Sequence, residues 1–403
     1  MHDVFIENYA GKPIRKVSGD SLSISTSSSK ENEKVRDPFT AYCSSIKTLL
    51  INIFLPQGYP YSVSDDYIAY QVWDTVQAFA SSMSSALATE AVLKGAGVGD
   101  KSASALAASL TWLAKDGLGM IGRITFGYFK GTELDYDCKK WRLVADILND
   151  LAFFVDLLSP AFSGWFFVCA CTASLLRCVV GVAGWGTRGA IIQHQARRNN
   201  LADVASKDGS QETMVNVSAL VASLIMLPLV SGKRTLIWFL FMVFTAIHLF
   251  ANYCAVRSLK LETLNPKRAT ILIRSWLSSH TILSVEECNR EEPLFYGFGI
   301  RYLGCSLYRL LAYHKRVPSA QLRARDDYTL LYDKQRNIGW IALAENSSNH
   351  SSLKAIFDME ALAFTGEEVK SKDFEAFTEA LKSKGWKVEG NNLGFDEWTY
   401  IRK

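Results

Sequence analysis

Two long uncharged stretches, placed almost back to back, constrain this 403-residue chain more than any other feature. Residues 213–232 carry no charged side chain, and residues 235–256 carry only the titratable His248. About 20 mostly apolar residues are enough for a helix to cross the hydrocarbon core of a bilayer. The Ser231-Gly-Lys-Arg turn between them is short enough to make an antiparallel pair. A third stretch, 161–176, is uncharged and extends past Arg177 to Trp185. The charge census agrees: residues 151–256 hold 11 charged side chains in 106 positions, against 73 in the other 297. A mean hydropathy of +0.06 thus averages a membrane-like third with an ordinary soluble remainder. The competing reading of the three stretches is that they are core helices of a large soluble protein.

Three earlier stretches have helical length and apolar periodicity but carry polar groups. Residues 67–93 are rich in Ala and Ser, 103–129 include Lys115, Asp116 and Arg123, and 141–158 include Asp146, Asp150 and Asp156. Charges inside a span are expensive and must face a bundle interior or an aqueous cavity. Small residues at 103–108 and in Gly127-Tyr-Phe-Lys-Gly131 suit close helix packing. If all six stretches span, one side of the membrane collects twelve basic residues: Lys130, Lys139, Lys140, Arg142, Arg188, Arg197, Arg198, Lys207, Arg257, Lys260, Lys267 and Arg268. The other side collects four, Lys94, Lys101, Lys233 and Arg234. Such asymmetry marks the first side as cytoplasmic. The expected fold is therefore mainly α: a six-helix transmembrane bundle with both termini cytoplasmic, followed by a small cytoplasmic α/β domain.

The boundaries follow composition. Residues 1–53 read as a flexible polar arm, with a serine-rich run at 18–29 and no signal-peptide or transit-peptide pattern. Residues 54–265 form the helical membrane domain, 266–292 a linker with a helix, and 293–403 the α/β domain. In that last part, 328–332 and 338–344 flank Asp333-Lys-Gln-Arg-Asn as a β-hairpin. Helices are expected over 353–364 and 374–384, the latter stopped by Gly385. A net charge of +4 is too mild for a nucleic-acid partner. Eight scattered cysteines with no CxxC pair suggest buried packing groups, not a zinc site or a disulfide framework.

Two sets of polar residues are candidates for function. Lys115, Asp116, Arg123, Asp146, Asn149 and Asp150 would line a polar space within the bundle. Asp146 and Asp150, four apart, share one helical face with Asn149 beside them. They could relay protons or cations or clamp a polar solute; the alternative is ion pairing, Asp116 or Asp146 with Arg123, that holds helices in register. His194, Arg197, Arg198, Asp203, Lys207, Asp208 and Glu212 form the second set, on a polar run between apolar stretches. The cations could bind an anion such as phosphate. Alternatively the three carboxylates satisfy them internally and the run is a structural latch. His248, alone on an apolar helix, reads as a hydrogen-bonded core histidine. The sequence has no GxSxG, GxxxxGK[ST] or HExxH motif and no GxGxxG in a Rossmann context, so a non-enzymatic role is expected.

Four runs carry a family resemblance: Leu55-Pro-Gln-Gly-Tyr-Pro-Tyr-Ser-Val-Ser, Tyr70-Gln-Val-Trp-Asp-Thr-Val-Gln-Ala-Phe, Trp141-Arg-Leu-Val-Ala-Asp-Ile-Leu-Asn-Asp, and the polar run from His194 to Thr213. They resemble the ROOT UV-B SENSITIVE family over roughly residues 54–265, and the tail resembles its animal branch. The resemblance implies membrane association and, from plant members, roles in UV-B response, auxin transport and vitamin B6 homeostasis. It implies no established reaction or catalytic residue set. No cofactor is evident; pyridoxal phosphate or a related B6 compound enters as a ligand by this association alone. The connection from Gly122 to Arg142 is also similar, loosely, to the loop after helix two of major facilitator transporters. Six helices would be half of such a transporter, completed by a homodimer or a partner from the same family. The expected function is transport or sensing of a small polar or anionic solute. The alternative is a non-catalytic membrane adaptor that recruits partners through its C-terminal domain.

Overall fold

The computed structural model describes residues 4–9, 12–18, 25–26, 51–95, 105–367 and 371–402. The serine-rich arm falls largely outside the described residues. In the described part of residues 1–50, strand β1 (Val4–Tyr9) pairs antiparallel with β2 (Lys12–Ser18), and β3 (Ser25–Thr26) adds to β2, in place of the flexible arm expected there. Long helices follow: α1 (Tyr67–Gly95), α2 (Ala105–Tyr136), α3 (Cys138–Leu158), α4 (Phe166–Gln195), α5 (Leu201–Val230) and α6 (Arg234–Ser258). A 3-10 segment, Ser159–Trp165, joins α3 to α4. The chain divides into two compact units that are not sequential. The first takes residues 1–108, 150–173 and 188–255, and the second takes 109–149, 174–187 and 256–403.

The six-helix expectation does not hold. Among the described residues three helices are long and apolar enough to cross a membrane: α4, α5 and α6. The reason lies in composition. The α1 helix is diluted by Ser, Thr and Gln, α2 is interrupted by Lys115, Asp116 and Arg123, and α3 carries Asp146, Asp150 and Asp156. Without six spans the half-transporter analogy loses its basis. So does the loop-charge argument for two cytoplasmic termini, which needed every stretch to cross.

In the first unit, α1 lies along α5 through a ladder of polar contacts. Gln71 donates to Asp208 (3.0 Å), the Ser82 hydroxyl to Asn216 (3.3 Å) and the Ser231 hydroxyl to Glu90 (3.1 Å). A core of Leu87, Ala88, Phe153, Leu157, Val230 and Phe241 gathers α1, α3, α5 and α6 at one end. The opposite faces of the spans are apolar and exposed, including Leu220, Leu224, Ile225 and Leu229 of α5 and Phe239, Met242 and Phe250 of α6. Contiguous apolar surface on this scale is unfavourable in water and suits lipid.

In the second unit, glycines let α2 and α4 approach closely. A Cβ at Gly122 would lie 2.5 Å from the Cys178 sulfur, and one at Gly186 would lie 2.7 Å from Leu134. The glycines of the Gly127–Gly131 pair meet open space instead, so that motif does not set this contact. The helix expected in the linker is α7 (Pro266–Ser279): the Asn265 side chain accepts from the Arg268 amide as N-cap, and Pro266 starts the first turn. A capping box between Ser284 and Glu287 opens α8 (Val285–Glu291).

Then come β4 (Ile300–Leu303), α9 (Leu307–Arg316), β5 (Gln321–Ala324), β6 (Tyr328–Asp333), β7 (Ile338–Ala344), α10 (Asn349–Phe364), α11 (Ser371–Ser383) and β8 (Thr399–Tyr400). The sheet order is β4-β7-β6-β5, with β8 also on β7. The expected hairpin is β6–β7, in which Leu331 faces Trp340. Asp333 holds its loop by accepting from the Gln335 and Arg336 amides. Gly385, at φ +84°, follows the end of α11 as expected. Tyr328, Leu330 and Ile341 of the sheet pack with Phe357, Phe374 and Phe377 of the helices and with Leu272 of α7.

Candidate functional site

A titratable group in the middle of an apolar helix needs a partner, because an unpaired polar group in a low-dielectric interior costs several kcal/mol. His248 is such a group. It sits fourteen residues after the first residue of α6, about 21 Å along the helix axis at 1.5 Å per residue. Its side chain is fully buried, and its neighbours come from two other helices of the first unit. The Nδ1 atom is 2.8 Å from Asp150 Oδ2 on α3, and Nε2 is 2.9 Å from the Gln77 amide nitrogen on α1. With that amide donating to Nε2, the ring proton lies on Nδ1 and points at the carboxylate. Turning the Gln77 amide over presents an acceptor to Nε2, so the same three groups can also hold an imidazolium. The cluster can take up and release one proton without leaving a ring nitrogen unpaired. Asp150 and Gln77 are themselves buried, at 5% and 7% exposure.

This assembly was half legible in sequence. Asp150 is among the sequence candidates and His248 is, as expected, a hydrogen-bonded core histidine, whereas the sequence does not single out Gln77 or show that Asp150 is the partner. The signal available was that His248 is the sole titratable nitrogen between Arg234 and Arg257. The other intramembrane candidates, Lys115, Asp116, Arg123, Asp146 and Asn149, belong to the second unit. Lys115 and Asp116 form a loose pair of their own at 4.0 Å. Arg123 is exposed. Asp146 is buried and Asn149 half-buried on α3, in the second unit.

The second candidate set lies at the junction of α4 and α5. Here the chain turns at Asn199, which adopts φ +53°, a conformation that Asn tolerates well. The segment before α1 folds onto this turn. Ser64 N–H donates to the Gln195 carbonyl, Arg197 N–H and the Asn200 amide donate to the Ser62 carbonyl, and Val63 bridges Ala196. His194 Nε2 is 2.9 Å from Asp66, whose other oxygen accepts from the Ser64 hydroxyl. Asp203 accepts from Gln57 N–H (2.7 Å), and Lys207 donates to the Asn52 carbonyl. Arg188 forks between Asp208 (2.5 Å) and Glu212 (2.6 Å), and Gln71 donates to the second Asp208 oxygen. Carboxylates and carbonyls thus occupy most of the cations of this run. The exception is the Arg198 side chain, which is exposed and has no ion-pair partner among the described residues; its Nη1 lies 3.5 Å from where a Cβ would stand on Gly58.

A third polar knot, in the second unit, was not foreseen. Glu292 is 2% exposed and accepts two bonds from Arg268 Nη1 at 2.9 Å. It also meets Lys139 at 3.1 Å and the Asn265 amide at 2.7 Å. Burial alone would raise the Glu292 carboxyl, but Arg268 and then Lys139 outweigh it and bring it to about 2. A hint existed in sequence: Lys139 and Lys140 open α3, where the helix dipole disfavours cations unless an anion answers them.

Comparison with known proteins adds to this geometry. The family model described as the vitamin B6 photo-protection and homoeostasis domain matches residues 42–280. RUS family member 1 of Dictyostelium discoideum is 41% identical over 278 residues, covering 66% of this chain and 52% of that one. Protein root UVB sensitive 3 of Arabidopsis thaliana is 40% identical over 243 residues, covering 60% and 55% respectively. The chain therefore spans about half the length of these curated relatives. No solved structure gives a significant match. The family model covers more than half of the chain, including the four runs that carried the resemblance, so this multi-pass membrane protein belongs to the ROOT UV-B SENSITIVE family.

Proposed function

We propose that the chain binds and moves, or senses, a small polar solute across or within the membrane, with His248, Asp150 and Gln77 as its proton-holding centre. One observation carries this: a carboxylate, an imidazole and an amide from three helices meet in a buried cluster on a spanning helix. Apolar side chains of the same volume would hold three helices together at least as well. Ionisable groups kept at such depth mark proton and solute pathways. The solute class we favour is a B6 vitamer, in keeping with the description of the family's shared domain. Such a molecule is a small pyridine whose ring nitrogen and phenol exchange protons, which suits a site able to hold or release one. Arg198, exposed at the α4–α5 turn, offers an anionic form a first contact.

The protein acts without covalent chemistry in this reading. Arg197, Arg198, Arg257 and Lys260 flank one end of the spans, against Lys233 and Arg234 at the other. We therefore place the α4–α5 turn and the C-terminal domain in the cytoplasm.

The test is uptake of pyridoxine into proteoliposomes under an imposed proton gradient. Wild-type protein should exceed protein-free vesicles, and Asp150→Asn and His248→Gln should each fall to the protein-free rate while eluting as folded protein. Uptake by both variants at the wild-type rate would remove the cluster from the mechanism, and no uptake by wild type would remove pyridoxine transport itself.

A further inference from the structure

A cleft of about 250 Å³ opens beside the turn between α5 and α6. Leu87 and Ala91 of α1, Leu157 of α3, Pro160 and Ala161, and Ile237 and Trp238 of α6 form its apolar walls. Its lining also carries two charged residues, Glu90 and Arg234, with Gly232 beside the latter. All these residues belong to the first unit. From this arrangement we propose a binding site for one zwitterionic phospholipid whose headgroup ends in a primary ammonium.

The location sets the ligand class. The turn joins two helices long and apolar enough to span, so it lies where hydrocarbon gives way to water. Trp238 is one helical turn inside α6, the depth at which aromatic side chains anchor membrane proteins. It packs edge-on against Phe154 and Phe241, which fixes it as a wall of the cleft. Leu229 and Phe239, both 62% exposed, continue the apolar surface from the cleft along the outer faces of α5 and α6. A ligand here must begin polar and end as hydrocarbon. The cleft volume accommodates a headgroup and the start of an acyl chain, and the remaining chain can lie along those exposed faces.

The rim charges set the headgroup. Arg234 is exposed and has no ion-pair or hydrogen-bond partner among the described residues. It begins α6, whose first turn contains no acidic residue, so the amide groups of that helix start add positive potential at the same place. A phosphate diester suits this corner. The Glu90 carboxylate, oriented by the Ser231 hydroxyl at 3.1 Å, adds a negative charge to the lining of the same cleft. A purely anionic headgroup would be repelled there, whereas a terminal ammonium is attracted. Phosphate at Arg234 and ammonium towards Glu90 is the charge pattern of a zwitterionic phospholipid, and only a primary ammonium, as in phosphatidylethanolamine, can also donate N–H bonds to the carboxylate, which a quaternary ammonium lacks.

Native mass spectrometry of the detergent-purified full chain tests this. The protein is titrated with phosphatidylethanolamine, phosphatidylcholine and phosphatidylglycerol of one acyl composition. Phosphatidylethanolamine should bind tightest. Arg234→Gln should weaken it about tenfold, the equivalent of one charge-assisted contact. Glu90→Gln should erase its advantage over phosphatidylglycerol, and Leu157→Phe, which fills the cleft, should weaken all three lipids. Either phosphatidylglycerol or phosphatidylcholine binding as well as phosphatidylethanolamine to wild type would overturn the headgroup assignment. Unchanged phosphatidylethanolamine affinity in Arg234→Gln or in Leu157→Phe would overturn the site. Arg234 is exposed and its loss spares the fold, so the first variant reads binding alone.

Discussion

Replacing Glu292 by Gln removes the negative charge that pairs with both Arg268 and Lys139, whose side chains are each only 3% exposed. The volume is unchanged, and the Asn265 and Arg268 groups keep a carbonyl to donate to. What is lost is the charge itself, and breaking a buried pair from one side typically costs about 3–5 kcal/mol. An independent measure comes from the carboxyl: it falls from an ordinary value of 4.5 to about 2 in the folded chain. At 1.36 kcal/mol per pH unit this corresponds to about 3 kcal/mol of stability at neutral pH. The two routes agree because they describe the same interaction. Lys139 limits the damage in the variant. Burial already pulls its ammonium downward and Glu292 opposes that, so without Glu292 the lysine can shed its proton and leave Arg268 as the remaining buried cation.

The pH dependence carries the sign. A carboxyl whose folded value is depressed stabilises above its unfolded value and loses that contribution as pH falls towards the folded one. For Glu292 the window runs from about 4.5 down to about 2, and more than half of the contribution is gone by about pH 3. Other carboxylates titrate in the same range, so the informative quantity is the difference between wild type and Glu292→Gln. Thermal unfolding followed by tryptophan fluorescence in detergent should show a gap that is widest near neutrality and narrows below about pH 4.5. A gap of the same size at pH 6 and pH 3, or no gap at pH 6, would refute the assignment of Glu292 as the charge that holds this knot.

The α4–α5 junction should answer to charge as well. Asp208→Asn removes one of the two carboxylates that Arg188 forks between and should lower stability by about 2 kcal/mol, seen as faster limited proteolysis between residues 196 and 200; an unaltered cleavage rate would contradict a latch. At the close approach of α2 and α4, Gly122→Val drives two methyl groups towards Cys178 and should cost about 1–3 kcal/mol, whereas Gly127→Val, which meets open space, should be near neutral in the same thermal assay. Equal effects at the two glycines would show that helix propensity, not contact, governs both. Finally, Asn346-Ser-Ser and Asn349-His-Ser are exposed sequons at the start of α10. With the C-terminal domain in the cytoplasm they should remain unglycosylated, and a mass shift removed by endoglycosidase would reverse that orientation.

Which parts were legible in sequence follows from what each signal measures. Local signals were sound: the runs 328–332 and 338–344 either side of the 333–337 loop announced β6–β7, Gly385 announced the end of α11, and the uncharged runs announced α5 and α6. Helix length was legible too, since α1, α2 and α3 all form. Spanning was not, because length and periodicity do not report whether a face meets lipid or protein. The α1 helix shows why. Its Gln71, Gln77 and Ser82 lowered its apolarity, yet they are the groups that meet Asp208, His248 and Asn216. Polarity on a helix in such a protein is thus ambiguous between a face turned to water and one turned to a polar neighbour, and only the neighbour decides. The same ambiguity misdirected the site. Asp146 and Asp150 looked like one stripe by helical spacing, but the side chain that gives Asp150 its chemistry is 98 residues away in sequence, and Gln77 is 171 away from that histidine. A lone histidine on a spanning helix therefore predicts a hydrogen-bond partner, as it does for His248, but leaves open which residue that partner is. Burial at that depth requires a hydrogen bond, and here the partner it found can itself be ionised.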